Sequence, residues 1–116
     1  MKFPSFAYAE MRDAVLGARH ALSLTFVGEA TARKANKATR GKTYVPNVLS
    51  FPLSKNSGEI LICPAVAKKQ AKEYGLTPEQ FVGILFIHGL FHLKGRSHGS
   101  RMESEERRIA KKFNIF

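Results

Sequence analysis

The chain has no tryptophan, a single cysteine and only nine acidic residues. With Cys63 alone, no internal disulfide can form and no paired-cysteine metal or redox site exists. A reducing cytoplasm is therefore the expected location. No apolar run approaches the ~18 residues that span a bilayer. The segment from Met1 to Tyr8 has no long apolar stretch ending in a small-residue cleavage site, so neither a membrane anchor nor a signal peptide is expected. Internal repeats, low-complexity tracts and linkers are also lacking, and 116 residues suffice for one core, so a single domain over residues 1–116 is expected. The shortage of acids is the most informative lack. Against them stand 19 Lys and Arg, a formal net charge of +10. That balance favours a polyanionic partner, most often nucleic acid. It is also locally uneven. Between Glu29 and Glu59 no acid occurs, while Arg33, Lys34, Lys37, Arg40, Lys42 and Lys55 do.

What is present has a legible order. Ser5 to Leu16 predicts a first helix, with Phe6, Met11, Ala14 and Val15 offered to the core. Ala21 to Val27 alternates apolar and polar residues, the period of a strand. Glu29 to Thr39 is Ala-rich and helical, closed by Gly41. Val48 to Leu53 and Glu59 to Cys63 predict a strand pair around a turn at Ser54 to Gly58. Pro64 opens a helix that Gly75 closes. Thr77, Pro78 and Gln80 form a helix start with a capping box, and the helix runs to about Lys94, apolar nearly all round and hence buried. Ser100 and Glu103 suggest a second capping box opening a charged last helix to about Phe113. The expected fold is α+β: a small mixed β-sheet packed by helices around a central buried helix.

That central helix carries chemistry. In His88-Gly89-Leu90-Phe91-His92-Leu93-Lys94-Gly95-Arg96-Ser97-His98 fall three of the four histidines. His88 and His92, four apart, share one helix face. Burying two imidazoles without partners costs on the order of 1–3 kcal/mol each; a shared metal satisfies both. On a continuing helix His98 would lie roughly 15 Å along the axis from His88. Gly95 permits the left-handed conformation that ends a helix and folds the chain back. Three convergent imidazoles with no fourth protein ligand match a catalytic zinc site; nickel, copper and iron accept similar ligands. His20, ahead of a strand, is read as an ordinary histidine.

Position 89 discriminates among chemistries. Zinc proteases with this histidine spacing place Glu directly after the first histidine as general base; here it is Gly89. Zinc already acidifies a bound water to a pKa of about 7. Phosphodiester cleavage then mainly requires positive charge beside the phosphate. Arg40, Gly41 and Lys42, expected in a loop just beyond the basic helix, could supply it. Arg33, Lys34 and Lys37 fit a solvated helix face equally well. Ser50 could approach the same cleft or merely pack beside it. Cys63 is read as a buried strand-end residue. Glu103 could cap its helix or reach the site, and capping is expected.

These segments together resemble the YbeY-type family of metal-dependent endoribonucleases. The resemblance rests on His88-Gly89-x-x-His92-Leu93-x-Gly95-x-x-His98. It rests also on Arg40-Gly41-Lys42 followed by Asn47-Val48-Leu49-Ser50-Phe51-Pro52. Gly58 to Cys63 resembles the family's following strand, and Met102, Glu103 and Glu106 its last helix. It implies one zinc held by His88, His92 and His98 in a basic cleft, with Arg40 as the catalytic arginine. Candidate RNA contacts are Lys42, Arg33, Lys37, Ser50 and Arg96. It further implies RNA as substrate, in 16S ribosomal RNA maturation and ribosome quality control, with the small ribosomal subunit as partner. A rival reading is a ribosome-assembly or RNA-binding factor with a largely structural zinc. The chain departs from the family pattern at Ser97, where Asp is usual, and at Pro46, where Thr is usual. It is also expected to lack an N-terminal edge strand.

Overall fold

The computed structural model describes residues 5–115, with side chains from residue 8 onward. Five helices and three strands follow in the order α1 (Ser5–Val15), β1 (Ala21–Phe26), α2 (Glu29–Arg40), β2 (Val48–Ser54), β3 (Ser57–Ile62), α3 (Pro64–Glu73), α4 (Pro78–Leu93) and α5 (Ser100–Lys112). The strands form one mixed sheet in the order β1-β3-β2. β3 runs parallel to β1, with Leu24 opposite Ile60, and antiparallel to β2, with Leu49 opposite Leu61. The expected α+β architecture is the one observed. On β3 alternate residues Gly58, Ile60 and Ile62 are buried, which turns one sheet face toward the helices.

The central position of α4 follows from its composition. Phe81, Val82, Leu85, Phe86, Ile87, Leu90 and Phe91 are buried, and α3, α5, β2 and β3 all pack on this helix. Its start is held by the expected capping box. Gln80 N–H donates to Thr77 Oγ1 at 3.1 Å, and Thr77 N–H donates to Gln80 Oε1 at 2.8 Å. Its end is a Schellman turn. Gly95, at φ +94°, donates to the His92 carbonyl and Arg96 N–H reaches back to the Phe91 carbonyl, both at 3.0 Å.

Four local expectations are corrected. The β2–β3 turn is only Lys55 and Asn56, because strand pairing continues to Ser54 opposite Ser57. A register shift between Pro52 and Ser54 interrupts the alternation that sequence reading depends on. Helix α5 has no capping box: Gly99 is its N-cap and receives no side-chain help, and Glu103 is exposed. Arg40 is the last residue of α2 rather than a loop residue, since the chain stays helical until Gly41 turns left-handed at φ +67°. In α1, Met11 and Val15 are buried but Ala14 is exposed; Phe6 lies outside the described side chains.

Gly89 has a packing role that the motif alone does not reveal. A Cβ at this position would stand 3.0 Å from Ile60 Cδ1 and 3.3 Å from its Cγ1. Ile60 is fully buried, so it has little room to retreat. Overpacking of this kind costs about 1–3 kcal/mol. Replacing a mid-helix glycine by alanine returns about 0.5–1 kcal/mol. Gly89→Ala is therefore expected to destabilise the chain by about 1 kcal/mol in denaturant unfolding. A stabilised variant would show that α4 does not need its close approach to β3.

Candidate metal centre and basic cleft

Two turns of α4 and the loop beyond it bring three imidazoles together. The candidate ligand atoms of His88, His92 and His98 all lie within 4.8 Å of one another. His88 Nε2 and His92 Nε2 are 3.0 Å apart. Tetrahedral zinc with bonds of about 2.0–2.1 Å holds its nitrogen ligands about 3.3–3.4 Å apart. The three side chains thus match a metal by donor type and spacing. His88 and His92 are half-buried and His98 is exposed, which leaves the site open on one side.

The surrounding groups set which nitrogen each ring offers. Glu106 Oε2 lies 3.0 Å from His88 Nδ1, on the far side of the ring from Nε2. An Nδ1–H donated to that carboxylate leaves the Nε2 lone pair facing the cluster. Burial lowers the His92 pKa, and the neighbouring His88 and His98 lower it further, while Glu106 and the Arg96 backbone act in the opposite sense. A ring kept neutral in this way is ready to donate a lone pair.

Glu106 is the carboxylate that reaches the site; Glu103 neither caps nor reaches it. A sequence signal for Glu106 existed. Met102, Glu106 and Ile109 lie at helical spacing on one face, and both apolar members are buried. An acid on the apolar stripe of an otherwise solvated helix needs a partner.

The cluster opens into a cleft of about 730 Å³. One wall is Asn47 with β2 as far as Pro52, and the other is α4, with Leu85, His88, Gly89 and His92. Arg40 and Thr39 stand at its rim, and Ser50 lines it. The structure thus gathers Arg40, Ser50 and the three histidines around one space. Arg33, Lys37 and Lys42 are exposed and do not line it. Arg96 directs its guanidinium at Glu105, with Nε donating at 2.9 Å. That contact holds the Glu105 carboxyl below the usual carboxylate range. His20 is outside the cluster, its Nδ1 buried without a partner among the described residues.

Arg40 is held by two residues that sequence reading missed. Its Nη1 donates to the Tyr44 hydroxyl at 2.9 Å and to Asn36 Oδ1 at 3.4 Å. Asn36 is fully buried, one turn earlier on α2, and its Nδ2 donates to the Tyr44 carbonyl at 3.1 Å. A single side chain therefore ties the loop after α2 to the arginine. With Nη1 engaged, Nε and Nη2 carry no hydrogen bond among the described residues. Those two donors form the planar edge that suits two oxygens of one phosphate. Asn36 sat unnoticed inside the basic run because its neighbours Lys34 and Lys37 read as a solvated face.

Comparison with known proteins shows the family of this chain. A family model described as Endoribonuclease YbeY matches residues 5–114. A protein of that name from Bdellovibrio bacteriovorus is 40% identical over 100 residues, covering 84% of this chain and 64% of the relative. One from Neisseria meningitidis serogroup B is 40% identical over 104 residues, covering 76% and 62%. The chain thus spans a little under two thirds of the length of these two relatives. The solution structure of a Thermotoga maritima protein superposes with a TM-score of 0.70 at 25% identity, covering 94% of this chain and 77% of that one. With the histidine cluster, the cleft and a match over nearly its whole length, the chain belongs to the Endoribonuclease YbeY family.

Proposed function

We propose that this chain is a zinc-dependent endoribonuclease that cuts single-stranded RNA, in the maturation of 16S ribosomal RNA and in ribosome quality control. The supporting observation is one cleft that joins three metal-competent histidines to an arginine with two free donors. His88, His92 and His98 would hold the ion. Zinc, when bound there, supplies Lewis acidity toward water and phosphoryl oxygen. The chain's own residues do the rest. Glu106 fixes the tautomer of His88 by accepting from its Nδ1–H, which leaves Nε2 for the ion. Arg40 offers Nε and Nη2 to the phosphate, where negative charge grows as the bond is cleaved. Lys37, Arg33 and Lys42, exposed on and just past α2, extend a positive field along the flanking backbone. Ser50 offers a hydroxyl from the β2 wall. Partners in this reading are ribosomal RNA and the small ribosomal subunit, in the cytoplasm. Among the described residues no helix is long and apolar enough to cross a membrane.

The test is cleavage of 16S ribosomal RNA and of a single-stranded oligoribonucleotide by purified protein. Cleavage should vanish with a chelator and return on adding zinc, and a peptide library should stay intact. Cleavage indifferent to the chelator would reject the zinc-dependent reading.

A further inference from the structure

The three imidazoles are not equally supported. His88 is braced by Glu106, and His92 sits within α4 with its Nε2 3.0 Å from His88 Nε2. His98 is exposed and has no side-chain hydrogen bond among the described residues. Its position is inherited from the short segment between α4 and α5. Two glycines bracket that segment, Gly95 at φ +94° and Gly99 at φ +159°, and neither would contact anything with a Cβ. Such a stretch has little stiffness of its own. Ser97 offers no carboxylate beside the ligand.

Among the described residues one side-chain ion pair ties this segment to α5. Arg96 Nε donates to Glu105 Oε1 at 2.9 Å, and Nη2 reaches Oε2 at 3.4 Å, a two-pronged fork onto the second turn of α5. Both side chains are largely covered, at 29% and 19% exposure, unlike an ordinary surface pair. Arg96 N–H is also bonded to Phe91 in the turn that ends α4. One residue thus joins the end of α4 to the body of α5, two positions before His98.

We propose that the Arg96–Glu105 pair is a strut that positions His98 for metal binding, so that both are positioning residues for the metal site rather than RNA contacts. This rests on reading the three histidines as a metal site, and it assigns Arg96 a different role from the one its charge first suggests. The planar guanidinium against a carboxylate is directional, so it fixes the loop's orientation as well as its distance from α5. In zinc sites, groups that orient a ligand typically change metal affinity 10- to 100-fold when removed.

The test measures zinc affinity by chelator competition, the visible spectrum of the cobalt-substituted protein, and thermal unfolding of the metal-free chain. Arg96→Ala and Glu105→Gln should each weaken zinc binding about tenfold or more and reduce the tetrahedral cobalt bands. Their unfolding temperatures should stay close to the parent. Arg96→Lys should recover only part of the affinity, since it lacks the fork. The exchange Arg96→Glu with Glu105→Arg should recover more than either single exchange. Arg101 also lies 3.6 Å from Glu105, so Glu105→Gln should be at least as damaging as Arg96→Ala. Unchanged zinc affinity with weaker RNA binding by the metal-free chain would overturn the strut and return Arg96 to RNA contact. Lower unfolding temperature without an affinity change would reduce the pair to an ordinary structural contact. A parent protein that binds no zinc would instead remove the metal-site reading itself.

Discussion

His92→Ala is expected to strip the chain of zinc and to lower RNA cleavage by more than about 10³-fold while the protein stays folded. The size follows from what the ion supplies. Several kcal/mol of transition-state charge stabilisation are at stake, and each 1.36 kcal/mol is tenfold in rate. The retained fold follows from α4. Val82, Leu85, Phe86, Ile87, Leu90 and Phe91 are all at most 6% exposed. At about 1.5–3 kcal/mol for each large apolar side chain, their gross burial is on the order of 10 kcal/mol. The helix therefore has a reason to sit where it does without any metal. His92 itself is only half-buried. Metal analysis, circular dichroism and single-turnover cleavage together decide the matter. A folded, metal-free, inactive variant supports the enzyme. An unfolded variant would favour the rival assembly factor with a structural zinc. A metal-free variant that still cleaves would remove the ion from the reaction.

Arg40→Ala is expected to leave zinc content and fold unchanged and to lower the cleavage rate by about 10²–10³-fold, the usual cost of removing one preorganised donor from developing oxyanion charge. Arg40 is at the cleft rim and not among the histidines, so its loss does not touch the metal ligands. Nor does the fold depend on it, because its side chain is exposed and Asn36 keeps its own bond to the Tyr44 carbonyl. The loss should fall mainly on the maximal rate, with a smaller effect on half-saturation, since the surrounding lysines still attract RNA. Arg40→Lys should recover part of the rate, because it keeps the charge and loses the fork. A variant that keeps more than half the parental rate would exclude Arg40 from the chemistry.

Much of the site could be read from residue order because its information is local. His88 and His92 share a face by helix periodicity, and Gly95 permits the left-handed turn that reverses the chain. The capping box at Thr77 and Gln80 is likewise written within four residues. Resemblance to a known family then joined this motif to Arg40, fifty residues upstream. The elements themselves followed from local periodicity, and the corrections fall at the β2–β3 turn, the start of α5, the end of α2 and Ala14 in α1.

What the residue order alone determined was therefore the α+β class, the three histidines able to hold a metal, the lack of a protease base at Gly89 and the basic bias. Only the tertiary structure decided how these are held. It paired Glu106, on the apolar stripe of α5, with His88, and gave Gly89 a reason in the closeness of Ile60. It placed buried Asn36 under Arg40 and set Arg96 against Glu105. Each of these is a contact between elements distant in sequence, or an orientation fixed by packing. A helix's own period tells which residues share a face, but the burial of that face depends on what lies opposite. Here the opposing surface is α4, and the docking of α5 and β2 on it, with Arg40 at the end of α2 lining the same space, turns isolated side chains into one cleft.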